Sequence, residues 1–333
     1  MKFLSSEKIG HVTPLPSRPG LPERFHEFDE PSIGAVNAAL AAQRPLLVRG
    51  EPGVGKTQLA EAVATELQRA FYAFTVDART ESRDLLWRFD AVMRLAQAQL
   101  YATLKKKQNE VERELAVHNF VHPGPLWWAF DSQNVRDDAS PGATPLDQPE
   151  NRAREKNGWV VLIDEIDKAE SDVPNGLLEA LGAGQFTPFG YEQPISITGI
   201  APLIIITTNE ERVLPDAFIR RCLVLHLALP RADDALIAHL QQRGRAHFKP
   251  EETSDEVLYE AARQLVEDRK FAEEQQLRPL PGQAEYLDLV RAVVKLAQKD
   301  VGKQKELLAS AARFTLKKHP SMLSRLPENE NEG

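Results

Sequence analysis

The sequence contains a single cysteine, Cys222, among its 333 residues. An internal disulfide and a cysteine metal cluster are therefore both excluded. Because an unpaired cysteine usually behaves as a small buried hydrophobe, we expect Cys222 to lie in the core.

Long apolar runs and long basic stretches are also missing. No segment reaches the roughly 20 apolar residues of a membrane-spanning helix, and the first residues contain no apolar signal core. The net charge of −8 opposes bulk electrostatic binding to nucleic acid or acidic lipid. These features predict a cytoplasmic protein with no membrane partner, and they disfavour a nucleic-acid partner.

Residues 50–57, with the sequence GEPGVGKT, fit the phosphate-loop pattern G-x-x-x-x-G-K-[ST]. The apolar run 45–49 before them predicts a buried strand. The four-residue spacing of Leu59, Val63 and Leu67 after them predicts a helix. Glycine-rich backbone at the start of a helix binds phosphates through its N–H groups, so the sequence predicts a nucleotide site here.

Two side chains of this loop have specific expected roles. Lys56 is expected to contact the β and γ phosphates, and the Thr57 hydroxyl is expected to bind Mg²⁺. The predicted nucleotide-binding residues are Gly50, Glu51, Pro52, Gly53, Val54, Gly55, Lys56, Thr57 and Gln58.

Buried strands alternate with helices along the first 230 residues. Besides the strand before the loop, apolar runs predict strands at 71–76, 159–165, 203–209 and 223–227. This alternation predicts an α/β fold, a doubly wound parallel sheet with helices on both sides. Beyond Pro230 the periodicity predicts helices at about 233–245, 254–268, 283–299 and 303–317.

Composition predicts four regions along the chain. They are an extended, proline-rich lead-in at 1–31, an α/β core at 32–230, a helical lid at 231–318 and a disordered tail at 319–333.

An insertion at about 85–157 interrupts the predicted core. Its first part, from Leu85 to about Val117, predicts a long helix with Leu85, Phe89, Val92, Ala96 and Leu100 on one face. Residues 131–157 lack periodicity and predict a mobile surface loop.

Polar residues follow two of the buried strands, and ligands bind at the carboxyl ends of strands in such sheets. We expect the strand ending in Asp164 to lie beside the phosphate-loop strand, where Asp164 would hold Mg²⁺ through water. Glu165 would orient or deprotonate the attacking water. Asn209 would contact the γ-phosphate or fix that water. An Asp-Glu pair can also cap a helix, but the phosphate loop upstream favours the catalytic interpretation.

Two adjacent arginines, Arg220 and Arg221, precede the last predicted strand. They fit either surface ion pairs or donors to the nucleotide of a neighbouring subunit. In the second case an arginine speeds phosphoryl transfer by about 10³–10⁵.

Together these motifs resemble an AAA+ ATPase of the MoxR-like family, over about residues 28–294. The most specific pieces are 49–57 (Walker A) and 161–169 (Walker B), followed by Asn209 in the sensor 1 place and Arg220-Arg221 in the arginine-finger place. The resemblance implies ATP as ligand, a helical lid, and a homo-oligomeric ring, usually a hexamer. It also implies a chaperone-like role toward a protein client, often a von Willebrand factor A domain protein.

One part of the chain departs from the family pattern. The sensor 2 arginine normally opens a lid helix, which corresponds here to residues 281–286, and no arginine is present there. Arg278 is the nearest arginine.

Two other functions compete with an ATP-driven remodeller. One is a nucleotide-switched assembly or signalling module in which ATP binding, rather than turnover, controls a partner. The other is a nucleic-acid motor, which the acidic balance and the lack of a basic aromatic groove disfavour.

Overall fold

The computed structural model describes residues 2–17, 20, 22–104, 107–135 and 144–325. They form two compact units. The first comprises the described residues of Met1–Ile9, Asp29–Arg49 and Leu59–His226, and the second those of Gly10–Phe28, Gly50–Gln58 and Leu227–Gly333. The phosphate loop therefore belongs to the same unit as the C-terminal helices.

The strands of the described residues are β1 Val12–Pro14, β2 Phe25–Glu27, β3 Leu46–Arg49, β4 Ala70–Thr75, β5 Trp87–Phe89, β6 Val121–Pro123, β7 Trp159–Asp164, β8 Gln185–Phe186, β9 Ile195–Ser196, β10 Leu203–Thr208 and β11 Leu223–His226. The helices are α1 Glu30–Ala42, α2 Lys56–Leu67, α3 Ala91–Leu104, α4 Gln108–Glu114, α5 Pro125–Asp131, α6 Pro149–Arg154, α7 Asp172–Ala183, α8 Asp216–Ile219, α9 Asp233–His247, α10 Asp255–Glu274, α11 Gln283–Ala297 and α12 Val301–Thr315.

A five-stranded parallel sheet lies at the centre of the first unit, in the order β11-β3-β10-β7-β4. The strands β3, β7 and β10 are buried along almost their whole length, as expected when helices cover both faces of a parallel sheet. The predicted fold class is confirmed: an α/β phosphate-loop core is followed by an all-helical region, α9–α12.

The predicted neighbour of the phosphate-loop strand is wrong. β10, not β7, lies beside β3: Ile206 of β10 pairs with Leu47 of β3 on one side and with Ile163 of β7 on the other. The composition of β3, β7 and β10 does not determine which of them is the middle strand, because all three are mainly apolar. The carboxyl ends of β3, β10 and β7 nevertheless share one edge of the sheet.

The predicted long helix from Leu85 to Val117 is also wrong. The chain instead forms β5, which pairs antiparallel with β6, and then the separate helices α3 and α4. Phe89 pairs with Val121, and the Asp90 carboxylate accepts a hydrogen bond of 2.8 Å from the N–H of Met93. An aspartate in this position starts a new helix at α3.

Helix α3 turns its apolar side outward. None of its residues is buried, and its exposed apolar side chains include Val92 at 80%, Met93 at 48%, Leu100 at 52% and Leu104 at 59%. The opposite, polar side is the one that faces the protein, where Arg94 Nε donates to the carbonyl of Leu115 at 2.9 Å. Of the predicted apolar face, Val92, Ala96 and Leu100 are exposed, whereas Leu85 and Phe89, which precede α3, pack in or against the core.

The segment predicted as a mobile loop, 131–157, is largely structured where the structure describes it. Short helices occupy 132–134, 145–147 and 149–157. Buried Asn151 of α6 accepts from the N–H of Phe71 in β4 at 2.7 Å and donates to its carbonyl at 2.8 Å. Residues 136–143 of that predicted loop, Lys105-Lys106 within the predicted insertion, and 326–333 of the predicted tail lie outside the described residues.

The second unit contains the four C-terminal helices and a short antiparallel pair, β1 and β2. Three of the helices end within about two residues of the prediction, whereas α10 continues six residues beyond the predicted end at 268. Ser254 caps α10 by accepting from the N–H of Val257. Their shared core includes Leu240, Val257 and Tyr286. Both strands of this pair lie within residues 1–31, so part of the predicted extended lead-in forms a two-stranded antiparallel sheet.

Candidate functional site

The loop after β3 adopts backbone angles that favour glycine. The φ values are +154° at Gly50, +80° at Gly53 and +98° at Gly55. A Cβ atom at Gly50 would lie 2.1 Å from the carbonyl oxygen of Leu227. Only glycine fits this position, so the loop keeps the open, N–H-rich backbone that binds phosphate.

Lys56 begins α2 directly after this loop and is only 7% exposed. Its Nζ donates to the carbonyls of Gly50 at 2.7 Å and Glu51 at 2.9 Å. A buried ammonium, curved glycine backbone and the start of a twelve-residue helix form a set of donors suited to a polyphosphate. The chemistry of the loop therefore fits the phosphates of a nucleotide.

The C-terminal helices contact the loop within the second unit. Arg269 of α10 binds the Glu51 carboxylate through both of its oxygens, at 3.0 and 2.8 Å. Ala284 of α11 lies 2.9 Å from where a Gly53 Cβ would be, and Gln283 Nε2 lies 3.9 Å from where a Gly55 Cβ would be. The start of α11 and one arginine of α10 thus fix the loop.

A small cavity of about 20 Å³ lies beside the loop, with Phe25, Val54, Gln58, Arg243 and His247 in its wall. This volume holds about one water molecule. Burial, with help from Arg291 and Arg243, lowers the pKa of His247 to about 4, so its imidazole is neutral at pH 7.

At the end of β7, the Asp164-Glu165 pair is held by Thr207 of β10. The Thr207 hydroxyl donates to Asp164 Oδ1 at 2.5 Å and accepts from the N–H of Glu165 at 2.9 Å. Glu165 has left-handed backbone angles, with φ +61°. Such angles are costly for a residue with a side chain and concentrate at functional sites.

The Glu165 carboxylate has two neighbours. Asn209 Nδ2 donates to Oε1 at 3.3 Å, and Lys168 Nζ donates to Oε2. The hydrogen bond to Glu165 is the largest cause that raises the pKa of Lys168. The structure therefore brings together Glu165 and Asn209, two residues singled out by the sequence; their roles stay predictions.

Asp167 fixes the turn that carries Asn209. It is 2% exposed and accepts from the N–H groups of Asn209 at 3.4 Å and Glu211 at 2.9 Å. Glu210, inside this turn, also has left-handed angles and binds Arg49 at the end of β3. The ends of β3, β7 and β10 are thus cross-linked by side chains.

Sequence reasoning missed Thr207, Asp167, Lys168 and Arg269. A hydroxyl in a run as apolar as β10 and a third acid in the Asp164-Glu165-Ile166-Asp167 stretch were available signals for the first two. No sequence signal separates Arg269 from Arg263, the other arginine of α10.

Arg220 and Arg221 lie at the end of α8 with exposed side chains. Among the described residues, neither side chain forms an ion pair or hydrogen bond. Their backbone is fixed, because Arg44 donates to the carbonyls of Arg220, Arg221 and Cys222. Cys222 is buried as predicted, and burial raises the pKa of its thiol to about 11.

Arg278, the arginine nearest to the sensor 2 place, is exposed. Within the part of the chain that the structure describes, its side chain has no hydrogen bond or ion pair. Arg269, by contrast, contacts the phosphate loop through the Glu51 carboxylate.

No group of three or more histidine, cysteine, aspartate or glutamate residues in the described ranges could hold a metal ion alone. Mg²⁺ usually binds through one or two protein ligands together with water and phosphate oxygens. The assignment of Thr57 and Asp164 as ligands of this ion stays a prediction.

Comparison with known proteins identifies the family. The family model for the AAA domain of the dynein-related subfamily matches residues 45–222, just over half of the chain. No curated protein matches the sequence. Among the described residues, no helix is long and apolar enough to cross a membrane. The matched span contains the phosphate loop, Asp164-Glu165, Asn209 and the two arginines, and the chain belongs to the AAA family, dynein-related subfamily, whose members are P-loop ATPases.

Proposed function

We propose that this chain binds ATP with Mg²⁺ at residues 50–58 and hydrolyses it. The observation that carries the proposal is the contact of Asn209 with Glu165 at the sheet edge of an AAA-family chain. In this proposal Glu165 orients or deprotonates the attacking water, and Asn209 fixes that water or the γ-phosphate. Lys56 binds the phosphates, while Mg²⁺ on Thr57 and Asp164 neutralises their charge.

We further propose a homo-oligomeric ring, as is typical of the family, with a hexamer as the expected size. Arg220 or Arg221 of one subunit would donate to the nucleotide of the next. Their exposed side chains on a backbone fixed by Arg44 support this role. An arginine that acts on the nucleotide of a neighbouring subunit needs a fixed backbone and a side chain that is not bound within its own subunit.

The finer family assignment is also a proposal. The motifs favour the MoxR-like branch, and therefore remodelling or activation of a protein client, with a von Willebrand factor A domain protein as the expected client. The corresponding domains are a core at 32–230, with the insertion at about 85–157, and a lid at 231–318, flanked by the lead-in and the tail.

Two variants test the proposal. Glu165→Gln should bind ATP but release phosphate at least about a hundredfold more slowly, because a general base typically contributes 10²–10⁴. Lys56→Ala should bind ATP poorly. Wild-type turnover by Glu165→Gln would refute the assigned role.

Mixing subunits tests the ring. Neither Lys56→Ala nor an Arg220→Ala, Arg221→Ala double variant should hydrolyse ATP alone. Mixed in equal amounts they should regain part of the activity, because some interfaces then pair an intact loop with an intact arginine. Complete failure of the mixture would count against action between subunits.

A nucleotide-switched module is the second candidate, and one observation favours it. Lys168 donates to Glu165 Oε2, so its ammonium competes with an attacking water for the acceptor sites of that oxygen. The two functions differ in the step that changes the assembly. Light scattering with ATP, a non-hydrolysable analogue and ADP separates them: a switch responds equally to ATP and the analogue, whereas a remodeller requires hydrolysis.

A further inference from the structure

An ion pair within the second unit joins two residues that are 218 positions apart in the sequence. Arg269 Nη2 of α10 lies 3.0 Å from Oε1 and 2.8 Å from Oε2 of Glu51, the second residue of the phosphate loop. Both contacts are made by the one nitrogen Nη2, and these charge-assisted bonds fix the distance between α10 and the loop.

Arg269 is held by further partners, unlike most surface arginines. Its Nη1 donates to the carbonyl of Pro281 at 3.0 Å, and its Nε lies 3.3 Å from Glu273 Oε1. Only 12% of the side chain is exposed. The guanidinium is therefore already ordered, so little side-chain entropy opposes its contact with Glu51.

Glu51 connects this arginine to the phosphate-binding lysine. Its carboxylate binds Arg269, and its backbone carbonyl accepts from Lys56 Nζ at 2.9 Å. A displacement of α10 would therefore move an acceptor of Lys56.

Pro281, the second partner of Arg269, precedes α11, whose first residues contact the same loop. Ala284 leaves no room for a side chain at Gly53, and Gln283 lies beside Gly55. Gln283 is fixed in turn by a 3.0 Å hydrogen bond with His239. Arg269 thus bonds to both the loop and the segment that positions α11 against it.

We propose that Arg269, acting through Glu51, is the positioning residue by which the C-terminal helices set the conformation of the phosphate loop. The pair provides a lid-to-loop link in a chain with no arginine at the start of α11. This link would let the C-terminal helices influence the proposed ATP binding. Only the nucleotide measurement described below rests on that proposed function.

The test compares Glu51→Gln, Arg269→Lys and the double variant with Arg263→Ala. Arg263 is a matched control on the same helix, since it forms exposed pairs with Glu260 and Glu267. The first readout is hydrogen exchange of the amides of residues 50–58 without nucleotide. The second is the Kd of a fluorescent ATP analogue together with the separate kcat and KM values.

Each single variant should speed loop exchange and raise the analogue's Kd by about tenfold, the usual scale of coupling between contacting groups. The double variant should be no worse than either single one, because both remove the same link. The KM should rise more than kcat falls, since the pair positions the loop and does not touch the reacting atoms. Arg263→Ala should match wild type.

The inference is overturned if Glu51→Gln and Arg269→Lys leave loop exchange at the Arg263→Ala level, or if their effects on Kd simply multiply. Glu51 is 45% exposed, so Glu51→Gln keeps the test valid even if changes at Arg269 impair folding. If the wild-type protein does not bind the analogue, the proposed function fails while the exchange comparison still decides the link.

Discussion

The Thr207 hydroxyl lies 2.5 Å from Asp164 Oδ1 and joins the end of β10 to the end of β7. The same hydroxyl accepts from the N–H of Glu165. One buried threonine therefore orients the residue expected to hold Mg²⁺ and supports the strained backbone of the residue expected to activate water.

Replacing this threonine should affect both stability and turnover. In Thr207→Val, a shape-preserving change, Asp164 loses a donor and the Glu165 N–H loses its acceptor at a site that is 0% exposed. We expect the free energy of unfolding to fall by about 1–3 kcal/mol. We also expect kcat for ATP to fall at least about tenfold with little change in nucleotide Kd.

The neighbouring Thr208 provides the control. It is equally buried, but its hydroxyl accepts from the N–H of Glu210 and has no bond to Asp164. Thr208→Val should lose comparable stability and keep more of its turnover. Equal losses of kcat in both variants would show that the Asp164 contact has no special role.

A methyl group at Gly50 should disrupt the phosphate loop. The added Cβ meets the Leu227 carbonyl at 2.1 Å, and the backbone angle alone costs a residue with a side chain about 1–3 kcal/mol. Gly50→Ala should therefore melt at lower temperature and bind ATP weakly. Gly182→Ala, where nothing lies within 4 Å of the new Cβ, should match or exceed wild-type stability; similar losses in both would contradict this account.

The outward side of α3 should tolerate changes that the core does not. Leu100→Ala, at a position 52% exposed, should change the free energy of unfolding by less than about 0.5 kcal/mol. Leu126→Ala in α5, at a position 0% exposed, should cost about 2–5 kcal/mol. Urea titration measures both, and a large loss in Leu100→Ala would mean that α3 packs against the protein in solution.

Acidification should destabilise the second unit through His247. Burial, then Arg291 and Arg243, lower its pKa from 6.5 to about 4. The unfolded chain therefore binds a proton that the folded chain excludes, and stability falls as the pH drops from about 6.5 to about 4. At pH 5 the loss amounts to about 2 kcal/mol.

Two histidine variants isolate this effect. His247→Gln should lose about 2 kcal/mol less than wild type between pH 7.5 and pH 5, as measured by urea unfolding. His11→Gln, at an exposed residue, should follow wild type. If His247→Gln and wild type lost the same stability between pH 7.5 and pH 5, His247 would not be the cause of the acid destabilisation.

Local sequence features predict much of the core. The apolar runs of β7 and β10 are long enough to require burial, and the polar residues after them necessarily meet at one edge of a parallel sheet. The C-terminal helices follow equally well, because each has an apolar stripe and two of them, α10 and α12, have a capping side chain. These are short-range properties of the chain.

Long-range properties are where prediction fails. Periodicity shows that α3 has an apolar side, but it cannot show whether that side faces inward. The sequence of β10 contains no feature that predicts its position between β3 and β7. The Arg269–Glu51 contact joins distant segments, and no local pattern selects one arginine of α10 over another.

The amide of Asn151 has a consequence for colloidal behaviour. β4 is an outer strand of the sheet, and outer strands offer unpaired backbone groups on which a foreign strand can add. The Asn151 amide accepts from the N–H of Phe71 and donates to its C=O, as one residue of an added strand would. The chain thus covers the Phe71 position of this outer strand with its own side chain, and a foreign strand cannot pair with Phe71 while that contact holds.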